Sequence, residues 1–351
     1  MSPVDPSLRV SDFDYHLPPE LIAQHPPADR DGGRLLLVDR TRGTLTDLTV
    51  RDLPTLLHAP DLVVVNNTRV IPARLLGRRP TGGVVEVLLL NRIQSGKWEA
   101  LAKPARKLPA GATFEVISRA GDVSVLAEVI ENLGEGRIVV SFNSNLDDRL
   151  EEFGTVPLPP YIHEQLGDAE RYQTVFSHVP GSAAAPTAGL HLSESILSTL
   201  ANQGVQRAEV TLQIGLDTFR PVTVERVADH VIHREWCEVP PETGRAITAC
   251  RESGGRVVAV GTTSARTLEA WGSLRLEERA CGWAGWTGIF ITPGYQWTTV
   301  DAMLTNFHLP KSTLLMMITS LVGRELTEAA YRHAVEQRYR FFSFGDAMLI
   351  V

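Results

Sequence analysis

Four loops of this chain gather side chains able to bind or transform a small polar molecule. The first, Asn66-Asn67-Thr68-Arg69-Val70, follows an apolar run. Its amides, hydroxyl and guanidinium can hold a polar ligand or cap a strand end. The second, Pro186-Thr187-Ala188-Gly189-Leu190-His191, directly precedes a helical pattern. Free backbone N–H groups and the positive end of a helix dipole attract carboxylate or phosphate at such a place. His191 has the residue type of a general base, since an imidazole titrates near neutrality, or it can pack and donate to a backbone carbonyl. The third is Gly261-Thr262-Thr263-Ser264-Ala265-Arg266. A buried strand, a glycine, hydroxyls and a helix start mark where open α/β sheets take ligands. The dinucleotide fingerprint and the phosphate-loop lysine are absent, and the hydroxyls can equally be helix caps. Arg266 lies about one turn into the helix, within reach of an anion. The fourth runs from Thr305 to Thr313. Asn306 and His308, two apart, share one side of an extended segment. Lys311 and Ser312 open the next helix. The dipole disfavours a lysine there, a cost that an anionic ligand would offset and that a solvent-facing side chain would keep small.

These loops need elements to hold them. Leu62–Asn66 is apolar enough to be buried on both faces. Ser193 reads as the N-cap of a helix carrying Ile196, Leu197 and Leu200 and ended by Gly204. Val210, Leu212 and Ile214 alternate as in a strand. Pro240-Pro241 opens a helix closed by Gly254-Gly255. Val257–Val260 is a short buried strand leading into a helix with Leu268 and Trp271. Helices are predicted from Ser312 to about Val322 and from Thr327 to about Arg338, and the ending FFSFGDAMLIV reads as a strand. Between about Arg74 and Phe142 the runs VVEVLLL, FEVI, VSVLAEVI and RIVVSF are β-branched and separated by turn residues, as in a small barrel or sandwich. The predicted fold is α/β: a mixed, barrel-like α/β core of residues 1–72 and 152–351, interrupted by a small all-β, barrel-like domain at 73–151.

Composition narrows the function. With 351 residues and 43 % hydrophobic content, the chain can build a sizeable core. No apolar stretch reaches the roughly 18 residues of a membrane helix, and the first residues lack the pattern of a secretory signal, so the expectation is a cytoplasmic protein without membrane contact. Cys237, Cys250 and Cys281 are odd in number and lack metal-site spacing, which argues for buried free thiols and no metal. The net charge of −7 opposes nucleic-acid binding. Its distribution does not: Arg69, Arg74, Arg78, Arg79, Arg92, Lys97, Lys103, Arg106 and Lys107 face only Glu86 and Glu99 in their stretch. Such a run is either a solvated surface or an RNA contact. Residue chemistry alone thus describes an enzyme-like protein that binds an anionic or amino-acid-like ligand, without naming a reaction.

The stretches DFDYHLPPELIAQHP, VVVNNTRVIPARL, AAPTAGLHL, VTLQIGLDTFRPV, VVAVGTTSARTLE, LTNFHLPKSTLLMM and YRFFSFGDAMLI resemble, in order, those of the S-adenosylmethionine:tRNA ribosyltransferase-isomerase family of queuosine synthesis. The resemblance runs from residue 12 to the C-terminus and is thinnest over about 92–150. Three positions depart from the commoner pattern: Asp217 where small residues are usual, Thr292 in place of a tyrosine, and Trp236 in place of a tyrosine. The resemblance implies transfer of the ribosyl part of S-adenosylmethionine to 7-aminomethyl-7-deazaguanine at the tRNA wobble position. Adenine and methionine leave and epoxyqueuosine is formed. S-adenosylmethionine is then a consumed substrate, no cofactor is needed, and a monomer without an obligate protein partner is expected.

On this reading His191 or His308 is the base. Thr262, Thr263, Ser264 and Arg266 hold the methionine carboxylate or ribose. Asn66, Thr68 and Arg69 lie at the pocket edge, facing RNA or nucleoside. Thr187, Gly189, Gly215, Thr218, Gly261, Asn306, Lys311 and Ser312 complete the substrate-binding set. An everted base needs an aromatic platform, for which Tyr161, Tyr172, Phe219, Phe307 and Phe342 are candidates. Two other readings remain: a methyltransferase acting on RNA, which would yield S-adenosylhomocysteine, and a non-catalytic RNA-binding module.

Overall fold

A computed structural model describes residues 4–144, 146–164, 166–215 and 222–351. The expected Asp217, Thr218 and Phe219 therefore lie outside the described residues. In chain order the strands are β1 (Arg34–Asp39), β2 (Thr44–Thr49), β3 (Leu62–Asn66), β4 (Thr68–Val70), β5 (Arg74–Arg78), β6 (Val84–Gln94), β7 (Lys97–Lys103), β8 (Thr113–Ile117), β9 (Ser124–Gly134) and β10 (Arg137–Phe142). There follow β11 (Gly154–Thr155), β12 (Val179–Ser182), β13 (Gln206–Leu212), β14 (Glu235–Val239), β15 (Val257–Val260), β16 (Trp283–Thr287), β17 (Ala302–Asn306) and β18 (Ala347–Ile350). The α-helices are α1 (Leu150–Phe153), α2 (Glu194–Asn202), α3 (Pro241–Glu252), α4 (Gly261–Gly272), α5 (Leu276–Ala280), α6 (Thr313–Val322) and α7 (Arg324–Glu336).

Nine strands form one mixed sheet in the order β16-β14-β13-β3-β15-β17-β18-β1-β2. Its centre is parallel from β13 through β3 and β15 to β17, while β18 runs antiparallel to β17 and parallel to β1. Strand alternation splits the apolar residues between two cores. Leu62 and Val64, Val257 and Ala259, and Met303 face the layer with α3, α4, α6 and α7. Val63 and Val65, Val258 and Val260, and Leu304 face the layer containing α2. A strand covered on both faces must be apolar throughout, which is why β3 and β15 contain so little else. Each Val or Leu buried this way contributes roughly 1.5–3 kcal/mol.

The second sheet, in the order β11-β5-β6-β7-β10-β9-β8, closes because β5 also pairs with β8. This gives a six-stranded antiparallel barrel with β11 added outside. Val125, Ala127 and Val129 point inward from β9 while its alternate residues face solvent. Where the chain leaves the barrel, Gly154 packs so closely that a Cβ would sit 1.7 Å from the Pro72 carbonyl oxygen. The mixed α/β core with a small inserted barrel is the expected fold class.

Most predicted elements are present, with three differences. The last helix begins at Arg324, ahead of Thr327. Only Ala347–Ile350 of the C-terminal run is a strand. The preceding FFSFGD is a tight loop: the Asp346 carboxylate accepts the N–H groups of Arg34 and Arg340, Phe342 has φ +74, and a Cβ on Gly345 would meet the Arg340 oxygen at 2.4 Å. The third difference is Cys281, which is exposed, while Cys237 and Cys250 are buried. Among the described residues no helix is long and apolar enough to cross a membrane, and no cluster of side chains suited to a metal ion occurs.

Candidate active site

The ends of β15 and β17, the turn at Thr187–His191 and the loop before β18 meet at a cavity of about 270 Å³. Its walls include Thr187, Gly261, Thr262, Thr263, Asn306, His308, Lys311 and Ser312, together with Tyr161 and Phe342. Three of the four loops singled out in the sequence therefore share one chamber.

The start of α4 supplies one wall. Gly261 has φ +86, a left-handed conformation that favours glycine, and the helix follows immediately. No side chain caps it, since Val260 is the N-cap residue. The first-turn hydroxyls are not caps either: Ser264 Oγ donates to the Val260 carbonyl at 2.8 Å and is fully buried. Thr263 Oγ1 is buried without a hydrogen-bond partner among the described residues. Unbonded helix N–H groups, the positive dipole end and an unsatisfied hydroxyl together suit an anionic or polyhydroxyl ligand.

Asn306 is the hub of the opposite wall. Its amide Nδ2 donates to His191 Nε2 at 3.1 Å and to the Phe342 carbonyl at 3.1 Å, and Thr187 Oγ1 donates to its Oδ1 at 3.4 Å. The amide thus fixes the loop carrying Phe342, whose ring lies 4.1 Å from that of Tyr161 in an edge-on arrangement. Phe342 and Lys311 are two non-glycine residues with positive φ, and both line this chamber. Unfavourable backbone geometry of this kind gathers where a site demands it.

The two histidines differ in position. His308 lines the chamber, and its Nε2 is 3.0 Å from Thr305 Oγ1. His191 is absent from the chamber wall and stands behind Asn306, accepting its amide. Burial pushes the His308 imidazole down to about 3. Burial also pushes His191 down to about 4, with Asp346 opposing that shift and Arg340 adding to it. Both rings are neutral at pH 7 and retain a lone pair for accepting a proton.

Most of the remaining candidates are engaged in other contacts. Asn66 ties the end of β3 to β13, its Nδ2 donating to the Leu212 carbonyl and its Oδ1 accepting from Leu212 N–H and Thr68 N–H. Thr68 Oγ1 reaches the Val179 carbonyl at 3.5 Å, and Arg69 binds Ser177 and Glu170. These polar groups are used in holding strands together, and none lines the chamber. Gly189 is a packing glycine, where a Cβ would meet Phe176 at 2.8 Å. Arg266, paired with Glu235, and Gly215, whose N–H reaches Glu235 at 3.2 Å, line a neighbouring cavity. Lys311 forms an exposed ion pair with Asp14 at 2.8 Å, and Ser312 Oγ caps α6 by accepting from Leu315 N–H. Tyr172 and Phe307 are fully buried. Missed in the sequence were Glu235, hidden as one polar residue in an alternating strand, and the chamber role of Leu309, Pro310 and Ser343.

Known proteins share this sequence and fold over nearly the whole chain. A protein from Symbiobacterium thermophilum, called S-adenosylmethionine:tRNA ribosyltransferase-isomerase, is 51 % identical over 351 residues, covering 98 % of this chain and 100 % of that protein. The crystal structure of an S-adenosylmethionine tRNA ribosyltransferase from Thermotoga maritima aligns with TM-score 0.57 and 36 % identity over 97 % of this chain and 100 % of the other. The family model described as queuosine biosynthesis protein matches residues 10–350, and the chain therefore belongs to that family.

Proposed function

We propose that this enzyme transfers and isomerises the ribosyl moiety of S-adenosylmethionine onto 7-aminomethyl-7-deazaguanine at the tRNA wobble position, giving epoxyqueuosine-tRNA, adenine and methionine. The observation that carries the reading is the single chamber in which the α4 start, the Asn306 amide, His308 and the Tyr161–Phe342 wall converge, in a chain of this family. S-adenosylmethionine enters as a consumed substrate.

The chemistry sets demands that these residues fit. The sulfonium acidifies the hydrogens on the adjacent 5′ carbon. A base removes one of them and loss of adenine begins. The aminomethyl nitrogen then attacks the sugar fragment, and an oxygen closes the epoxide as methionine departs. His308, neutral and at the chamber wall, takes the proton. His191 acts one step back, holding Asn306. The α4 start with Thr262 and Thr263 receives the carboxylate or ribose hydroxyls, with Lys311 at the rim. Tyr161 and Phe342 give the everted base an aromatic surface. Burial keeps water from the reactive sugar fragment.

The test is incubation with labelled S-adenosylmethionine and tRNA carrying the aminomethyl-deazaguanine, following adenine release and the mass gained by the tRNA together. Formation of S-adenosylhomocysteine would instead establish a methyltransferase. In single turnover, His308→Ala is expected to slow adenine release by about 10²–10⁴-fold with tRNA binding intact. An unchanged rate removes His308 as the base.

A further inference from the structure

A second cavity, of about 280 Å³, lies between the barrel and the β14–β16 edge of the core sheet, sharing among the described residues only Leu314 with the first. The barrel contributes Leu90, Asn91 and Arg137, and the core contributes Arg234, Arg266 and Trp286. Arg266 is only 8 % exposed, and Glu235 occupies just one of its terminal nitrogens. Its Nε and Nη2 are buried and have no hydrogen-bond partner among the described residues. Buried donors are rarely left this way, because water is lost and nothing replaces it. Glu235 also accepts from Gly215 N–H, so the ion pair is held from two sides and the guanidinium is fixed in place. Trp286 lines the same cavity from the other face of the β14–β16 edge, where it is 48 % exposed and opposite Trp236 on the neighbouring strand. Arg234 is exposed, with no carboxylate partner among the described residues. Arg137 is paired with Glu99 at 3.0 Å.

A cavity lined by a half-exposed indole and by fixed, unsatisfied guanidinium donors suits a planar heteroaromatic group that carries negative charge or carbonyl acceptors. We propose that this cavity seats one unpaired RNA nucleotide, its base stacked on Trp286 and its phosphate or base-edge carbonyl on Arg266. The proposal rests on the tRNA reading above and deepens it. The nucleotide beside the target base gains a seat of its own, so the target can be drawn into the first chamber while its neighbour is held. Stacking on an aromatic side chain tolerates any base. The adenine of S-adenosylmethionine shares this chemistry, and the test separates the two.

Fluorescence anisotropy with an end-labelled anticodon stem-loop RNA, and calorimetric titration with S-adenosylmethionine, are carried out on the wild type, Trp286→Ala, Trp286→Phe and Arg266→Lys. Loss of the indole is expected to weaken RNA binding about tenfold, Trp286→Phe to recover most of it, and Arg266→Lys to weaken RNA binding. S-adenosylmethionine affinity should stay within about twofold throughout. RNA affinity of Trp286→Ala within about twofold of wild type overturns the proposal. So does a loss confined to S-adenosylmethionine, which would make this cavity the donor's. A wild type that binds RNA through Trp286 yet releases no adenine would instead defeat the functional reading and leave this one standing.

Discussion

Two imidazoles, one 115 residues before Asn306 and the other two residues after it, end up in different roles because of burial and hydrogen bonding. Both are held neutral, and this has a consequence for stability. Their folded pKa values, about 4 and about 3, lie below the value of an unfolded histidine. Below about pH 6.5 the unfolded chain therefore binds protons that the folded chain refuses. Stability is full above that pH and is lost as pH falls toward the folded values. Between pH 7 and pH 5 the cost is about 2 kcal/mol for each ring. Urea midpoints measured across that range should fall, and His191→Gln should remove about half of the dependence. A flat profile would show that the rings are not held neutral. At this scale residue type was legible in the sequence, since Asn306, Thr187, Thr263 and His308 were all candidates. Direction was not: His191 and Asn66 have the same polar character as their neighbours, yet one props Asn306 and the other ties two strands.

Elements position these residues through buried polar ties as well as apolar packing. Glu269 near the end of α4 is fully buried. Its carboxylate accepts the N–H groups of Thr298, Thr299 and Val300 at 2.8–2.9 Å, together with the hydroxyls of Thr298 and Tyr295. This pins the loop before β17 to the helix whose other end forms the chamber wall. Removing the carboxylate strands three backbone donors, each costing about 1–3 kcal/mol. Glu269→Ala should therefore lose at least about 3 kcal/mol in equilibrium unfolding, and a loss below about 1 kcal/mol would mean the loop finds other partners. The sequence showed α4 and its preceding strand plainly, through Val257–Val260 and the glycine that follows. It misread FFSFGD as strand, because a loop made by one aspartate and one crowded glycine has the same aromatic texture as a β-run.

At the scale of the whole molecule, a chain of net charge −7 carries a barrel whose cations are partly spent on local pairs: Arg74 with Glu86, Arg92 with Asp147, Arg137 with Glu99. Lys103, Arg106 and Lys107, at one barrel end, form no such pair among the described residues. If these contact the tRNA backbone, counterion release makes binding steeply salt-dependent. Raising salt from ~50 to ~200 mM should weaken tRNA affinity at least tenfold or so, and Arg106→Ala with Lys107→Ala should reduce the slope. Equal affinity at both salt levels would exclude a phosphate clamp.

The order of strands and helices, the apolar strands covered on both faces, the β-rich insertion and the family resemblance were all written in local composition and motif. Those features depend on periods of a few residues, which a linear reading resolves. The tertiary structure alone decided that the insertion closes through β5 and β8, that His191 stands behind Asn306, and that Arg266 turns away from the threonine-lined chamber toward Glu235. Each of these depends on which distant group fills a side chain's hydrogen-bonding and van der Waals space, and that is fixed only once the layers have packed.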